Sequence, residues 1–564
     1  MNINFKTDNL IIGTMKISFK VKNNESPFLE DSKENPKPTA VIGGSEDYYG
    51  GFSIETFASA GSLTYTHEDA QGWLDYVTKF KPANFWYKDG NVGVWQFYET
   101  YDNWQDTYGA DAVNAVYYSG HGGMGGNGVF FIPVGYNWNN QGTTAYSNLM
   151  RLGNEQVNYV FWSTCFSCRV KDGQNPIRTW SPANLGFRML FGFETVSVDS
   201  PNYGKWFWEE WNKNKSFSTA WMDASWRISH NQEPSVVACA DTRDNAIARL
   251  FNERLFNWAH VPSSWWWWRW YNKATSIASR APNLKLPKEL AVADLKPVEL
   301  TEDNMLKIYE RYGLGETFPS EIPVTSGSFS VKQNDTVLSI GNDGSNEIQF
   351  KSPNISNIDQ IQADKCKSIA DSALNKHSLK QGVDLVFDKT RYSSYSGTNK
   401  EKQDEIIGPY VAETMVQYKQ MINGTPVITP DSGEVRVSID NDGTVTRIQD
   451  STREISQILD KPKNTTPHPE GDTLTPKMDT KKFIGPEVTE TYGYEKLLAE
   501  KWQQEINKNY DRNVPLGYSD VPGSLEIGYD IKGNEAYLVA MKEVEVDFGL
   551  GYKKRYLVVV PIIQ

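Results

Sequence analysis

The stretch VNAVYYSGHGGMGGNG, Val113–Gly128, decides how the chain is read. Its first half is a short apolar run of strand length, and its second half is dominated by glycine. Between them stands His121, one of only six histidines among 564 residues. A histidine at a strand end, followed by backbone that admits close approach, is placed to do chemistry. Such a residue needs a partner, and the partner should also follow a strand.

Outward from this point the first half of the chain alternates element types. TAVIGG (Thr39–Gly44) predicts a short buried strand, and HEDAQGWLDYVTKF (His67–Phe80) a helix with Trp73, Val77 and Phe80 on one side. AVNAVYYSG, VNYVFWSTC (Val157–Cys165) and FRMLFGFETVSV (Phe187–Val198) predict three further strands. YGKWFWEEWNKN and FSTAWMDASWRISH then predict helices. Strands alternating with helices imply a mainly parallel sheet covered on both faces, with ligands bound beyond the carboxyl ends of the strands.

Cys165 ends the strand after the one that His121 follows, so adjacent parallel strands would bring both to one sheet edge. A thiolate is the reactive form of cysteine, and an imidazole can generate it by taking the proton. The backbone N–H groups of Gly122 and Cys165 are candidates to stabilise the oxyanion of a tetrahedral intermediate. The chemistry implied is acyl transfer, with peptide-bond hydrolysis as its form and a protein or peptide as substrate.

A hydrophobic block with Ser-Gly-His-Gly, then a second block ending in Ser-Thr-Cys, resembles the caspase-like cysteine peptidases (clan CD). That group includes caspases, metacaspases, gingipains, separases and bacterial CHAT peptidases. The two residues stand 44 positions apart (165 − 121), near the caspase spacing. The segment Asn184–Ser225 is similar to the part of CHAT peptidases in which a strand after the cysteine leads into helices. The resemblance covers roughly residues 39–230. STCFSC departs from the caspase pentapeptide, so aspartate specificity does not carry over. In this group the specificity pocket often draws on the loop after the first strand, here GGSEDYYGG. The resemblance therefore makes Glu46 and Asp47 candidate substrate-binding acids for a basic side chain, with solvated loop acids as the plainer reading.

Cys165 and Cys168 also form a C-x-x-C. The chain lacks the helix-opening context of a thioredoxin-like site, and it lacks the further ligands of a zinc site. No cofactor or metal is expected. An EF-hand loop starting at Asp440 would need glutamate where Ser451 stands, so DNDG reads as a hairpin turn.

The second half is built differently. TVLSIGNDGSNEIQF, VRVSIDNDGTVTRIQ and LEIGYDIKGNEAYLV are hairpin patterns whose turn glycines, Gly344, Gly443 and Gly533, are 99 and 90 residues apart. Helices such as IDQIQADKCKSIADSALNKH and YGYEKLLAEKWQQEINKNY lie between them, which predicts repeated α+β units. Val416–Ile448 resembles the propeptide domains of thermolysin-like and fungalysin metallopeptidases and their PepSY relatives, which act as intramolecular chaperones or inhibitors. No H-E-x-x-H accompanies it. The resemblance implies that the C-terminal module either inhibits the first intramolecularly, by partly covering the Cys165 edge, or stabilises it as a folding partner.

The fold class expected is α/β: a caspase-like, mainly parallel sheet flanked by helices, followed by α+β hairpin-and-helix domains. Its parts are an N-terminal strand or extension (1–38), a caspase-like domain with a Trp-rich end (39–278) and a linker (279–300). A propeptide-like α+β domain (301–459), a second linker (460–480) and a second α+β unit (481–564) follow. Eighteen of the 19 tryptophans fall at or before Trp270. SSWWWWRW, Ser263–Trp270, read as helix, would point tryptophans in all directions, so most must be buried in a core or inter-domain seam. The alternative function, a non-catalytic binding or toxin-type protein, would use that run as a surface for a ligand or membrane.

Composition narrows the classes. A formal charge of −13 leaves no basic excess for nucleic acid. No apolar run is long enough for a transmembrane segment. The N-terminus alternates like a strand and lacks a secretory core. Four cysteines make no disulfide framework, and the compartment leans to the cytoplasmic side.

Overall fold

The computed structural model describes residues 25–28, 48–98, 104–260, 262–272, 292–315, 324–325, 328–459, 500 and 517–562. The chain is mixed α/β, with eight α-helices among the described residues. Its dominant feature is one 16-stranded mixed sheet that runs through both halves of the sequence.

Five parallel strands form one end of that sheet, in the order Phe85–Lys88, Tyr49–Ser53, Ala115–Ser119, Tyr159–Ser163, Met189–Phe193. Pro234–Ala240 then adds antiparallel to the last of them. Side chains alternate between the two faces, as strand geometry requires. Tyr117, Phe161 and Phe191 point into one core with Trp73, Trp208, Trp211 and Trp221, supplied by helices Thr66–Val77, Tyr203–Trp211 and Phe217–Ile228. Val116, Tyr118, Trp162 and Leu190 point into the other. The expectation of helices on both faces needs correction here. The long helices cover one face, and the other is covered mainly by loops, a small three-stranded sheet and a six-stranded sheet from the C-terminus.

The first strand is also not the one expected. TAVIGG lies outside the described residues, and the chain enters the sheet at Tyr49–Ser53, within what reads as a loop. Its glycines are there for packing. A Cβ on Gly50 would fall 2.3 Å from the Phe85 ring, and one on Gly51 3.1 Å from Leu74. The loop after the first strand is therefore the segment beginning at Ile54. Glu46 and Asp47 lie outside the described residues; Tyr48 and Tyr49, next in sequence, stand at the amino end of the strand.

The tryptophan run is a strand, Trp265–Tyr271, not a helix. It joins Pro234–Ala240 on one side and Asp384–Asn399 on the other, both antiparallel, so it is the seam between the two halves. Trp267 faces the helix-side core, while Trp266, Trp268 and Trp270 face the opposite one. A strand buried on both faces can carry consecutive large apolar residues, which explains a run that fits neither an amphipathic helix nor an alternating strand. Gly397 makes room for it, since a Cβ there would sit 2.3 Å from the Trp267 ring.

Beyond the seam the sheet continues through Ile407–Ile422, Glu434–Ile439, Val445–Asp450, Asn346–Gln349 and Thr336–Gly341. Helix Ala363–Lys376 packs here into a third core. The first two hairpins thus share one sheet, and Asn346–Gln349 pairs directly with Val445–Asp450. The third hairpin, Glu526–Lys532 with Glu535–Asp547, belongs to the six-stranded sheet. That sheet also holds Val292–Leu295, a strand inside the stretch read as linker 279–300, and the C-terminal strand Lys553–Pro561. The 460–480 linker lies outside the described residues, as do all but Glu500 of the second predicted helix. Among the described residues no helix is long and apolar enough to cross a membrane.

Candidate active site

His121 and Cys165 arrive at one sheet edge because their strands are in parallel register, with Ser119 opposite Ser163. Each residue follows its strand's last position by two. The strand ends are anchored from below by Asp69, which is buried and accepts from Tyr117 Oη at 2.8 Å, Ser119 Oγ at 2.7 Å and the Gly204 amide at 2.8 Å. Burial raises the Asp69 pKa, and these donors pull it back. The two loops touch. A Cβ on Gly122 would come within 2.5 Å of Thr164 Oγ1 and 2.9 Å of the Cys165 carbonyl oxygen. Glycine after the histidine is thus required by the approach of the cysteine loop.

His121 is fully buried. Its Nε2 lies 3.0 Å from the Gly61 carbonyl oxygen. A carbonyl can only accept, so Nε2 carries the proton and Nδ1 holds a lone pair. Among the described residues Nδ1 finds no hydrogen-bond partner. Phe57 and Phe548 flank the ring, with centroids 4.9 and 4.6 Å away. Burial, and next the Lys554 ammonium, depress its pKa to about 3 against the pull of the Gly61 carbonyl. The imidazole is neutral here.

Cys165 is also fully buried. Its sulfur accepts from the Ser197 amide at 3.3 Å and donates to the Lys553 carbonyl at 2.9 Å. The next residue, Phe166, has φ 59°, a left-handed conformation that a bulky side chain adopts only under constraint. The Phe166 and Cys168 amides bond the Thr195 and Phe193 carbonyls, and so fix the turn. Cys168 points into the core, and burial pushes its thiol up to about 12. All four cysteines are free.

No hydrogen bond joins Cys165 to His121 among the described residues, and the C-terminal hairpin packs against both. The hairpin is Glu535–Asp547 paired with Lys553–Pro561. Phe548 packs on the His121 ring, and Tyr552 lies 5.8 Å from it. Arg555 donates its amide to the Ser197 carbonyl at 3.0 Å and accepts from the Asp199 amide at 2.9 Å, forming a parallel bridge opposite Val198. Lys554, only 2% exposed, sends Nζ to Ser197 Oγ at 3.0 Å and the Gly120 carbonyl at 3.5 Å. Sequence reasoning missed Gly61, Ser197, Asp199 and Lys554. They come from loops and a distant strand whose proximity only the fold creates.

One family model, a domain of unknown function (DUF6345), matches residues 52–270. The match runs from the first strand to the tryptophan strand, so it contains both His121 and Cys165 and stops before the hairpin. None of the curated proteins compared with the chain matches it. Among the described residues no group of three or more His, Cys, Asp or Glu is arranged to hold a metal ion.

Proposed function

We propose that the chain is a cysteine-dependent peptidase with a caspase-like first half, held latent in this conformation by its own C-terminal hairpin. The observation that carries this reading is the state of His121. Its tautomer is fixed by Gly61, and its remaining lone pair has no partner among the described residues, on the sheet edge that also carries Cys165. A buried acceptor left open is costly, and such sites cluster where function demands them. The five-stranded parallel end and the two loops at its carboxyl edge support the fold part of the reading.

With the hairpin displaced, Cys165 gives its proton to His121 Nδ1 and the sulfur attacks the substrate carbonyl carbon. Charge develops on the carbonyl oxygen, near the Gly122 and Cys165 amides. The C–N bond breaks, His121 returns the proton to the leaving amine, and water hydrolyses the thioester to regenerate the thiol. Trp266, Trp267, Trp268 and Trp270 are buried, which favours a packing role for the run over the binding surface of the non-catalytic alternative.

Phe548→Asp in the full chain places a carboxylate against Gly61 and His121 and so favours the open hairpin. Hydrolysis of a mixed peptide library should rise at least tenfold over wild type and vanish when Cys165→Ala or His121→Ala is added. Hydrolysis surviving Cys165→Ala sinks the reading. So does its absence from a variant whose Cys165 is alkylated rapidly by iodoacetamide.

A further inference from the structure

A cavity of about 80 Å³ lies where three parts of the chain meet, and neither His121 nor Cys165 lines it. Its walls include residues 229–231 of the first half, the long strands Asp384–Asn399 and Ile407–Ile422, and the covering hairpin. A space of that size takes about six waters or one small polar molecule. Six charged side chains line it, and four of them are matched. Lys419 pairs with Glu526 at 3.1 Å, Lys389 with Asp388 at 3.3 Å, and Glu434 with Arg436 at 2.8 Å. Burial, and next the Arg391 guanidinium, hold the His230 imidazole well below its ordinary range, so it adds no charge. The two remaining groups, Arg391 and Glu543, are unmatched. Arg391, only 1% exposed, donates Nε to Gln417 Oε1 at 3.1 Å and Nη1 to the His230 carbonyl at 2.7 Å. Among the described residues its Nη2 has no hydrogen-bond partner, and it forms no ion pair. Burial lowers its pKa to about 10, with Asp388 and then Glu434 opposing, so it keeps its charge at neutral pH. Glu543, 5% exposed, accepts from Ser229 Oγ at 2.5 Å and Asn231 Nδ2 at 2.9 Å through one oxygen. Its Oε2 is buried with no hydrogen-bond partner, and no Lys or Arg pairs with it, among the described residues. A buried guanidinium and a buried carboxylate are each costly alone. Here they line one cavity and do not pair with each other.

We propose that this cavity binds a small zwitterion, an α-amino acid no larger than serine, whose carboxylate meets Arg391 and whose ammonium meets Glu543. A simple anion would satisfy Arg391 but face the Glu543 carboxylate, and a simple cation would meet the converse repulsion. One molecule carrying both charges completes both groups, and charge-assisted hydrogen bonds of this kind are the strong ones. Lys389, Lys419 and Glu526 each keep part of their surface exposed, which leaves an entrance. The site stands whether or not Cys165 is a nucleophile. Its position gives it a consequence for the cover. Glu543 belongs to the hairpin strand Glu535–Asp547 and Arg391 to Asp384–Asn399. An occupant ties the two together, and a ligand that binds only the closed arrangement stabilises it by mass action.

Glycine, L-alanine and L-serine, added singly to the full-length chain, test the site. At about 10 mM at least one of them should raise Tm by about 2 °C or more. N-acetylglycine keeps the carboxylate and loses the ammonium, and glycinamide does the reverse. Each should shift Tm far less than the free amino acids. Glu543→Gln retains an oxygen for Ser229 and Asn231 but removes the charge, and it should abolish the shift. No shift from any of the three amino acids, equal shifts from the blocked analogues, or a shift that survives Glu543→Gln overturns the site and leaves a water-filled cavity only. If Glu543→Gln fails to fold, the comparison of free and blocked glycine in the wild type decides. Alkylation of Cys165 by iodoacetamide, followed by peptide mapping, reads the tie to the hairpin without calling on catalysis. The amino acid that raises Tm should slow it severalfold. An unchanged rate removes the tie and keeps the site, and neither result depends on whether the chain hydrolyses peptides.

Discussion

Two buried polar clusters lie where the halves of the molecule meet, and they are built in opposite ways. Behind the tryptophan seam, Lys215 sends Nζ to Glu210, Asp223 and Glu347 at 2.5, 2.7 and 2.8 Å, and Arg447 adds a second cation to Asp223. The lysine's three donors meet three carboxylates. Neighbouring cations pull the carboxyls of Glu210 and Asp223 far below their ordinary range against the cost of burial. At the His121 edge a lone pair and the Thr164 hydroxyl lack partners among the described residues, and the thiol leans on a backbone carbonyl. A saturated network holds a structure together, whereas an unsaturated one marks a place that something else completes.

The largest test of this contrast removes the second half. A chain ending near residue 300 leaves Trp265–Tyr271 as an exposed, apolar sheet edge. The expected result is insoluble protein, and a soluble, cooperatively melting fragment would show that the seam is not structural. Next in size is Lys215→Met, which leaves three carboxylates crowded without their central cation. It should cost about 3–5 kcal/mol, read as a large fall in Tm, whereas Cys165→Ser should shift stability by less than about 1 kcal/mol. Equal losses would erase the distinction between the clusters.

Gly122→Ala probes the loop contact. Its Cβ would overlap Thr164 Oγ1 and the Cys165 backbone, so turnover in the Phe548→Asp background should drop about tenfold or more, with a modest loss of Tm. An unchanged rate would separate the glycine from the site.

A smaller effect concerns pH. The pKa of His121 is near 3 when covered, against about 6.5 when exposed. A base whose pKa is depressed by closure stabilises the closed form fully above 6.5 and progressively less as pH falls towards 3. Protonated His121 would face the Lys554 ammonium, with Tyr552 nearby. Burial raises the pKa of Asp199, so its protonation favours closure at the acid end. The protection of 548–555 against deuterium exchange, taken relative to intrinsic amide exchange at each pH, should therefore fall severalfold between pH 7 and 5, and His121→Gln should flatten that fall. Protection independent of pH in the wild type would defeat the prediction. The smallest change is Cys168→Ala, which should leave labelling of Cys165 untouched.

Much of the parallel half is legible in the sequence. Apolar runs ending in Ser-Gly-His and Ser-Thr-Cys mark the strand ends, and hairpin glycines such as Gly344 and Gly443 mark turns with φ of 84° and 78°. Other features escape it for stated reasons. YGGFS reads as loop because Gly50 and Gly51 gain their meaning from Phe85 and Leu74, distant in sequence. The tryptophan run obeys no period because both of its faces are buried. YKKRYLVVV looks like a strand with a solvated charged start, and nothing local shows that Lys554 is buried almost 400 residues away from Cys165. The cleft's cover is a tertiary fact.

The placement of that cover also decides the redox fate of the sulfur. Peroxide attacks thiolates it can reach, and each step beyond sulfenic acid is hard to reverse. Here the Cys165 sulfur has no exposed surface and its proton is committed to the Lys553 carbonyl. In this conformation the hairpin therefore shields the thiol from peroxide, and its burial rather than its acidity keeps it reduced.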